Sequence, residues 1–395
     1  MIILIFLIIL LGLVMIHEAG HFLAAKISGV RVEEFAFGFP PKLFSKKYGE
    51  TNYVFNLLPI GGYVKIYGEN GGDVKDSKSF VNKNAGIKIF ILAAGVIMNF
   101  VLAYILIILA LYNSATFPVD ENNLQYQKFL QEGRIFDRKI IILDILNNSP
   151  VQKAGIKVGD EIVNIFFNKE NSIGQIISQK IFDKSKNNLA QEISTSLNAN
   201  SWENQFANSV TIIYKNKNQI STSTLAGVYG LNKESPSQSK VTRDKKMLGF
   251  ISTQIVQVNL TFLESFKLGI AKTNQFINLS FFGFKNLFVN LFSKGKIVEE
   301  ISGPVGIVTM VVSAAELGVS HLLTFTAILS ISLAILNILP FPALDGGRIL
   351  FVILETISRR KISEKWQMVS HGIGFAILIL LMILVTVKDV LALLK

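Results

Sequence analysis

Residues 17 to 21 read His17-Glu18-Ala19-Gly20-His21, two imidazoles four positions apart with a carboxylate beside the first. On an α-helix, positions i and i+4 share a face, so both rings can close on one metal ion. Glu18 sits about 100° round that helix, near enough to take a proton from a water on the metal. A catalytic zinc takes a third protein ligand and keeps a fourth position open. The best candidate lies far downstream, in Asn337-Ile338-Leu339-Pro340-Phe341-Pro342-Ala343-Leu344-Asp345-Gly346-Gly347. Two prolines break an apolar run just before Asp345, and two glycines after it let the backbone approach closely. The plainer readings are interfacial polar residues for the histidine motif and a helix-capping role for Asp345. Against the first stands the cost of placing three ionisable groups within five residues of an otherwise apolar helix, which usually marks function.

The elements that must position these groups are membrane spans. Half of the 395 residues are hydrophobic and the mean hydropathy is +0.45, too high for a chain with no lipid-facing surface. The apolar residues gather in long runs at 1–16, 87–111, 322–343 and 373–387, which predicts four transmembrane helices. No basic residue precedes the first run and no small-residue cleavage site follows it, so it reads as a retained span. Between Lys26 and Lys88 stand ten Lys or Arg against six acids, placing that segment in the cytoplasm and the N-terminus outside. By this count the first and third spans both run inward, so His21 and Asp345 reach the same depth. His321 then opens the third span on the wrong side for the site, and His371, at the inner start of the fourth, is expected to serve the interface.

The net charge of +11 comes from scattered lysines without interleaved aromatic platforms. That favours anionic headgroups over nucleic acid as the partner. Absence of cysteine removes disulfides and thiolate zinc sites.

The organisation expected along the chain is a first span with the histidine motif (1–25), a cytoplasmic-side, membrane-associated β region (26–86), and a second span (87–112). A soluble domain (113–255) follows, with an Asn, Ser, Lys and Gln-rich insertion near 168–200. Then come amphipathic helices on the membrane surface (256–300), a connecting loop (301–320), the third span (321–343), a cytoplasmic loop carrying Asp345 (344–369) and the fourth span (370–392). Period-two stretches such as Tyr53-Val54-Phe55-Asn56-Leu57 support the β region. Within the soluble domain, Ile140 to Leu143 leads through Ser149-Pro150 into a short helix, the Gly159-Asp160 turn and a second strand at Ile162 to Ile165.

Taken together, the histidine motif and the Asn337 to Gly347 segment resemble the site-2 protease family of intramembrane zinc metalloproteases, in particular its bacterial RseP-like branch. Gly95-Val96-Ile97-Met98-Asn99-Phe100 is similar to a further motif of that family, with Val96 where the family has proline. The resemblance implies a polytopic α-helical inner-membrane protein of four spans, with a membrane-associated β element and an inserted extracytoplasmic PDZ domain. It implies that zinc is held by His17, His21 and Asp345, that Glu18 is the general base, and that Asn337, Pro342, Asn99, Gly61, Gly62 and Tyr63 serve the substrate. That substrate is expected to be a single-span membrane protein already shortened by another protease, received as a strand on the β element. Anti-sigma factors or signal-peptide remnants are the family's cases. The alternative from another class is a membrane-anchored PDZ binding protein without activity, which an intact Glu18 argues against.

Overall fold

The computed structural model describes residues 2–69, 76–118, 124–146, 149–170, 176–183, 209–216, 219–226, 229–230, 246–247, 250–294, 303–360 and 362–393. The elements, in chain order, begin with α1 (Ile2–Ile27), β1 (Val32–Tyr48), β2 (Thr51–Ile66) and α2 (Ala85–Asn113). They continue with β3 (Ala115–Pro118), α3 (Leu124–Gln131), β4 (Ile135–Ile145), α4 (Pro150–Lys153), β5 (Glu161–Glu170) and β6 (Ile176–Asp183). Next come β7 (Ser209–Asn216), β8 (Gln219–Ala226), the short β9 (Tyr229–Gly230) and β10 (Lys246–Met247), and β11 (Phe250–Val258). The chain ends in α5 (Phe262–Lys294), α6 (Pro304–Glu316), α7 (Val319–Ile338), α8 (Asp345–Ser358) and α9 (Glu364–Leu393). Two units result, residues 1–113 with 261–395, and residues 114–260.

In the first unit four helices, covering Leu4–Ile27, Ala85–Asn113, Val319–Ile338 and Lys365–Leu391, are long and apolar enough to cross a membrane. Among the described residues that is the number of spans expected, and they stand with a β element. Helix α1 stops because Gly29 adopts φ 65, a conformation open to a residue without Cβ. Gly29 N–H then bonds to Lys26 C=O (3.1 Å) and Val30 N–H to Ala25 C=O (2.9 Å), closing a Schellman motif that turns the chain into β1.

Strands β1 and β2 form one antiparallel hairpin that folds back on itself. Phe35 pairs with Val64 on one side and Tyr53 on the other, whereas Phe44 pairs with Phe55. The segment order is therefore 62–66, 32–37, 52–56, 42–48, with 62–66 on one edge. Gly38 (φ 78) makes the bend in β1, where a Cβ would collide with the Leu58 carbonyl. Phe55 stacks between Phe37 (4.3 Å between centroids) and Phe44 (5.0 Å). Phe39, Leu43, Phe44, Leu57 and Leu58 remain exposed beside Lys42, Lys46 and Lys47, an apolar, basic surface suited to the membrane interface.

Helices α1 and α2 touch where Gly20 meets Gly95; a Cβ on Gly20 would run into the Ala94 carbonyl. On its other face α2 packs against α7, where Ala327, Ile331 and Ala334 are fully buried and the Ser330 hydroxyl donates to the Asn99 carbonyl (2.8 Å).

Three expectations need correction. The segment 301–320, read as a connecting loop from its Gly-Pro content, contains α6, whose first turn Asp389 of α9 caps by accepting from Gly306 N–H (2.8 Å). The segment 344–369, read as a loop, begins directly with α8, and the third span ends at Ile338 rather than 343 because Pro340 and Pro342 cannot continue it. The amphipathic stretch expected on the membrane surface is, over Phe262–Lys294, one helix, α5, packed antiparallel along α2: Gly269 lies against Ile108, and the Tyr104 hydroxyl donates to Asn274.

The second unit is an antiparallel sheet in the order β3-β11-β4-β5-β7-β8, with β6 pairing β5 beside it. Its core gathers Ile140, Ile142, Val151, Ile156, Ile162, Ile165, Ile212, Tyr214 and Leu225. Ser149 caps α4 by accepting from Gln152 N–H (3.2 Å), and Asp160 accepts from Lys157 N–H (2.8 Å) in the turn before β5. Burial raises the Asp160 carboxyl above its ordinary range, opposed by that Lys157 bond. Part of the expected insertion is structured, since β5 runs to Glu170 and β6 spans Ile176–Asp183; residues 184–200 lie outside the described residues.

The Gly20 contact carries a test. Gly20→Val puts branched carbon against helix backbone, and overpacking of this kind costs about 1–3 kcal/mol. The thermal midpoint of the purified protein should fall by several degrees, whereas Gly12→Ala, with nothing within 4 Å of the added carbon, should leave it unchanged.

Candidate metal centre

His17 and His21 lie one turn apart on α1 and are each 7% exposed. Their Nε2 atoms stand 3.2 Å apart. Asp345, the first residue of α8, brings Oδ2 to 3.0 Å from His17 Nε2 and 3.3 Å from His21 Nε2. The three residues expected as ligands, two of them one turn apart and the third 324 or more positions further along the chain, thus present three atoms to one point. Among the described residues this is the one His and carboxylate group compact enough for a metal ion.

Whether the residues suit zinc can be judged from the atoms themselves. Ligand atoms about 2.0–2.1 Å from a tetrahedral zinc stand about 3.3 Å from each other, and the three observed separations are 3.0, 3.2 and 3.3 Å. Asp345 Oδ2 is buried and has no hydrogen-bond donor. A buried carboxylate oxygen facing two imidazole nitrogens is costly unless a positive charge, a proton or a metal ion, neutralises it. The donor set of two imidazoles and one carboxylate, leaving a fourth position open, is the kind catalytic zinc takes. The residues fit.

The surroundings hold these three residues from several sides. His21 Nδ1 donates to the Ile91 carbonyl of α2 (2.9 Å), and His17 Nδ1 lies 3.3 Å from the Asn99 side-chain amide. Gly95 sits between them, where a Cβ would strike both imidazole rings. Two hydrogen bonds, to α9 and to the segment after β2, hold Asp345 indirectly. Ala343, in a left-handed conformation (φ 84) that costs a non-glycine residue energy, donates its N–H to His371 Nδ1 on α9 (2.8 Å). Pro342 meets the same helix at Gly374, where no side chain could fit. Arg348, one turn beyond Asp345, pairs with Glu69 just after β2; burial raises the Glu69 carboxyl, and the guanidinium opposes that rise.

Glu18 lies among the same charges and accepts from the Val64 backbone N–H, on the hairpin edge. Asn337, at the end of α7, brings Nδ2 to 3.5 Å from His17 Nε2. Gly62 packs against Met15 of α1. Gly61, at φ 139, lies against the Phe39 ring. Tyr63 turns into the hairpin, its hydroxyl donating to Glu34 Oε2 (3.1 Å).

Of the residues named from sequence, His17, Glu18, His21, Asn99, Asn337 and Asp345 come together, and Gly62 borders α1 one turn away. Pro342 and Tyr63 direct their contacts to α9 and to the hairpin interior. His371 is a correction: it braces the Asp345 loop rather than the membrane interface. Ile91, Glu69 and Arg348 were not singled out, since a backbone acceptor and an ion pair between residues 279 positions apart leave no sequence signal.

Comparison with known proteins places this architecture. Residues 5–381 match Peptidase family M50, and the chain belongs to that family, whose proteases use zinc. A Clostridium perfringens protein, provisionally named a zinc metalloprotease, is 34% identical over 379 residues, covering 96% of this chain and 95% of its own length. A Fusobacterium nucleatum protein with the same provisional name is 32% identical, covering 97% of each chain. The zinc metalloprotease RasP of Geobacillus kaustophilus is 27% identical, covering 98% of this chain and 96% of its own.

Zinc content tests the ligand set. The wild type should copurify with about one zinc per chain. Asp345→Asn should weaken zinc binding by more than about 100-fold, since even outer-sphere changes cost about 10–100-fold; unchanged binding in a chelator competition would remove Asp345 from the set.

Proposed function

We propose that this chain is an intramembrane zinc protease that hydrolyses peptide bonds of single-span membrane proteins near the cytoplasmic face of a bacterial inner membrane. The observation that carries this reading is Glu18, a carboxylate outside the ligand triangle yet next to it, bonded to the edge of a β-sheet. A metal held only for structure needs no such base.

His17, His21 and Asp345 would hold the zinc, which would supply Lewis acidity to the scissile carbonyl and lower the pKa of an attacking water toward neutrality. Glu18 takes a proton from the attacking water as its oxygen bonds to the carbonyl carbon. When the carbon–nitrogen bond breaks, Glu18 delivers that proton to the leaving amine. Asn337 Nδ2, close to the ligand atoms, donates to the carbonyl oxygen as negative charge builds there. The edge segment 62–66 receives the substrate as an added strand: Val64 N–H points to the site, and alternation along a strand aims the backbone groups of Gly62 the same way. A helical substrate must unwind before cleavage, and this edge offers partners to the backbone groups that unwinding frees.

In this reading α1 and α7 run inward, the hairpin lies on the cytoplasmic side, and residues 114–260 form an extracytoplasmic PDZ domain that admits substrates already trimmed by another protease. The antiparallel sheet and the Ser149-capped helix support a PDZ-like domain. Release of an anti-sigma factor fragment or removal of signal-peptide remnants would be the consequence.

The test uses purified wild type and Glu18→Gln, both with zinc verified, and a tagged single-span substrate in detergent, with products mapped by mass spectrometry. Cleavage within the apolar segment by the wild type, about 10²–10⁴-fold faster than by the variant, is the expected result. A chelator should abolish it and zinc restore it. Zinc-loaded protein that cuts none of several truncated substrates would favour the non-catalytic binding protein.

A further inference from the structure

His17 and His21 both turn Nε2 toward Asp345. A neutral imidazole that binds metal through Nε2 carries its proton on Nδ1, and that proton needs an acceptor. His21 has one in the Ile91 carbonyl at 2.9 Å. For His17 the neighbour is the Asn99 amide, drawn with Nδ2 at 3.3 Å from Nδ1, which sets a donor against a donor. The other atom of that amide, Oδ1, is buried with no donor near it, in a side chain 0% exposed.

Oxygen and nitrogen of an amide exchange places on a half-turn, and the choice follows from the hydrogen bonds each would make. Turned over, Asn99 offers Oδ1 to His17 Nδ1–H, and Nδ2 takes the position where Oδ1 met no donor, so one amide atom is bonded and one is not in either orientation. The backbone there is held independently, because the Ser330 hydroxyl of α7 donates to the Asn99 carbonyl (2.8 Å). Ile91, Gly95 and Asn99 follow at i, i+4 and i+8, one face of α2. Acceptors thus stand at both ends of that face, and the glycine between them leaves room for the rings.

We infer that Asn99 is a positioning residue of the metal centre, its amide oxygen accepting from His17 Nδ1–H and holding that ring as an Nε2 ligand, as the Ile91 carbonyl does for His21. This departs from the family-based expectation that Asn99 meets substrate. It rests on His17, His21 and Asp345 being the zinc ligands.

The experiment measures zinc affinity by chelator competition in the full-length protein for Asn99→Leu, Asn99→Asp and Asp345→Asn. Asn99→Leu, similar in size but without an acceptor, should weaken zinc binding by about 10–100-fold, and Asn99→Asp, which keeps one, should return it to within a few-fold of wild type. If Asp345→Asn loses zinc while Asn99→Leu keeps it and instead raises KM, Asn99 serves the substrate and the inference falls alone. If Asp345→Asn binds as the wild type does, the ligand reading falls first. Should Asn99→Leu fail to fold, ¹⁵N-histidine NMR of the zinc-loaded wild type decides. With four histidines in the chain, replacing His321 and His371 singly identifies the rest. For the remaining pair, His17 and His21, two Nδ1–H resonances both shifted downfield by hydrogen bonds are the expected result; one of the two at the shift of an unbonded imidazole N–H would overturn the inference.

Discussion

The whole site depends on how closely α1 and α2 approach. Gly20 lies against the Ala94 carbonyl, and Gly95 lies against both imidazoles. With any larger residue at either place the helices would part, and His17 and His21 would lose their α2 neighbours, the Asn99 amide and the Ile91 carbonyl. In a lipid-facing bundle, where burial of apolar surface gives little drive for helix association, close packing of small residues and interhelical hydrogen bonds carry much of the attraction. The histidines are therefore part of what joins these two spans as well as groups the join positions.

Asp345 comes from a different part of the chain and needs a different kind of support. It opens α8 immediately after a turn that contains two prolines and a left-handed alanine. Such a turn stays put only when its surroundings over-determine it. Here they do so from three directions: His371 takes the Ala343 N–H, Gly374 lets α9 sit against Pro342, and Arg348 ties α8 to Glu69 beside the hairpin. Gly346 and Gly347 complete the arrangement by letting the first turn of α8 lie against the Ile338 and Phe341 carbonyls.

Much of this was legible in the sequence, and the exceptions have physical causes. Four apolar runs became four helices long and apolar enough to cross a membrane, because a bilayer demands length and composition from each helix separately. The two histidines could be paired because a helix has a known period, and Asp345 could be matched to them in depth because successive spans alternate direction. Helices α6 and α8 were missed since Gly-Pro and Asp-Gly-Gly, which usually mark loops, stand here at helix starts, a place that suits proline and aspartate too. His371 was misjudged because its partner is a backbone N–H freed by a turn that periodicity does not reveal. The pairing of Phe35 with both Val64 and Tyr53 was likewise beyond reach, as it arises only once the long hairpin folds over at Gly38.

One bond gives the arrangement its direction. Val64 N–H could have stayed an unpaired edge group, and an edge buried beside a helix without partners would be costly. It binds Glu18 instead, so a strand edge and a carboxylate lie one hydrogen bond apart, with one imidazole beside that carboxylate in the chain and the other one turn on. Any extended chain that pairs with segment 62–66 must then run past the convergence point of His17, His21 and Asp345. Moving the hairpin by one residue would turn Val64 N–H inward toward Phe35, leaving Glu18 without its donor and the edge without its alignment. The register of the small sheet and the chemistry of the helix motif are thus a single constraint, which explains why the β element lies between the first two spans in the chain and against the first in space.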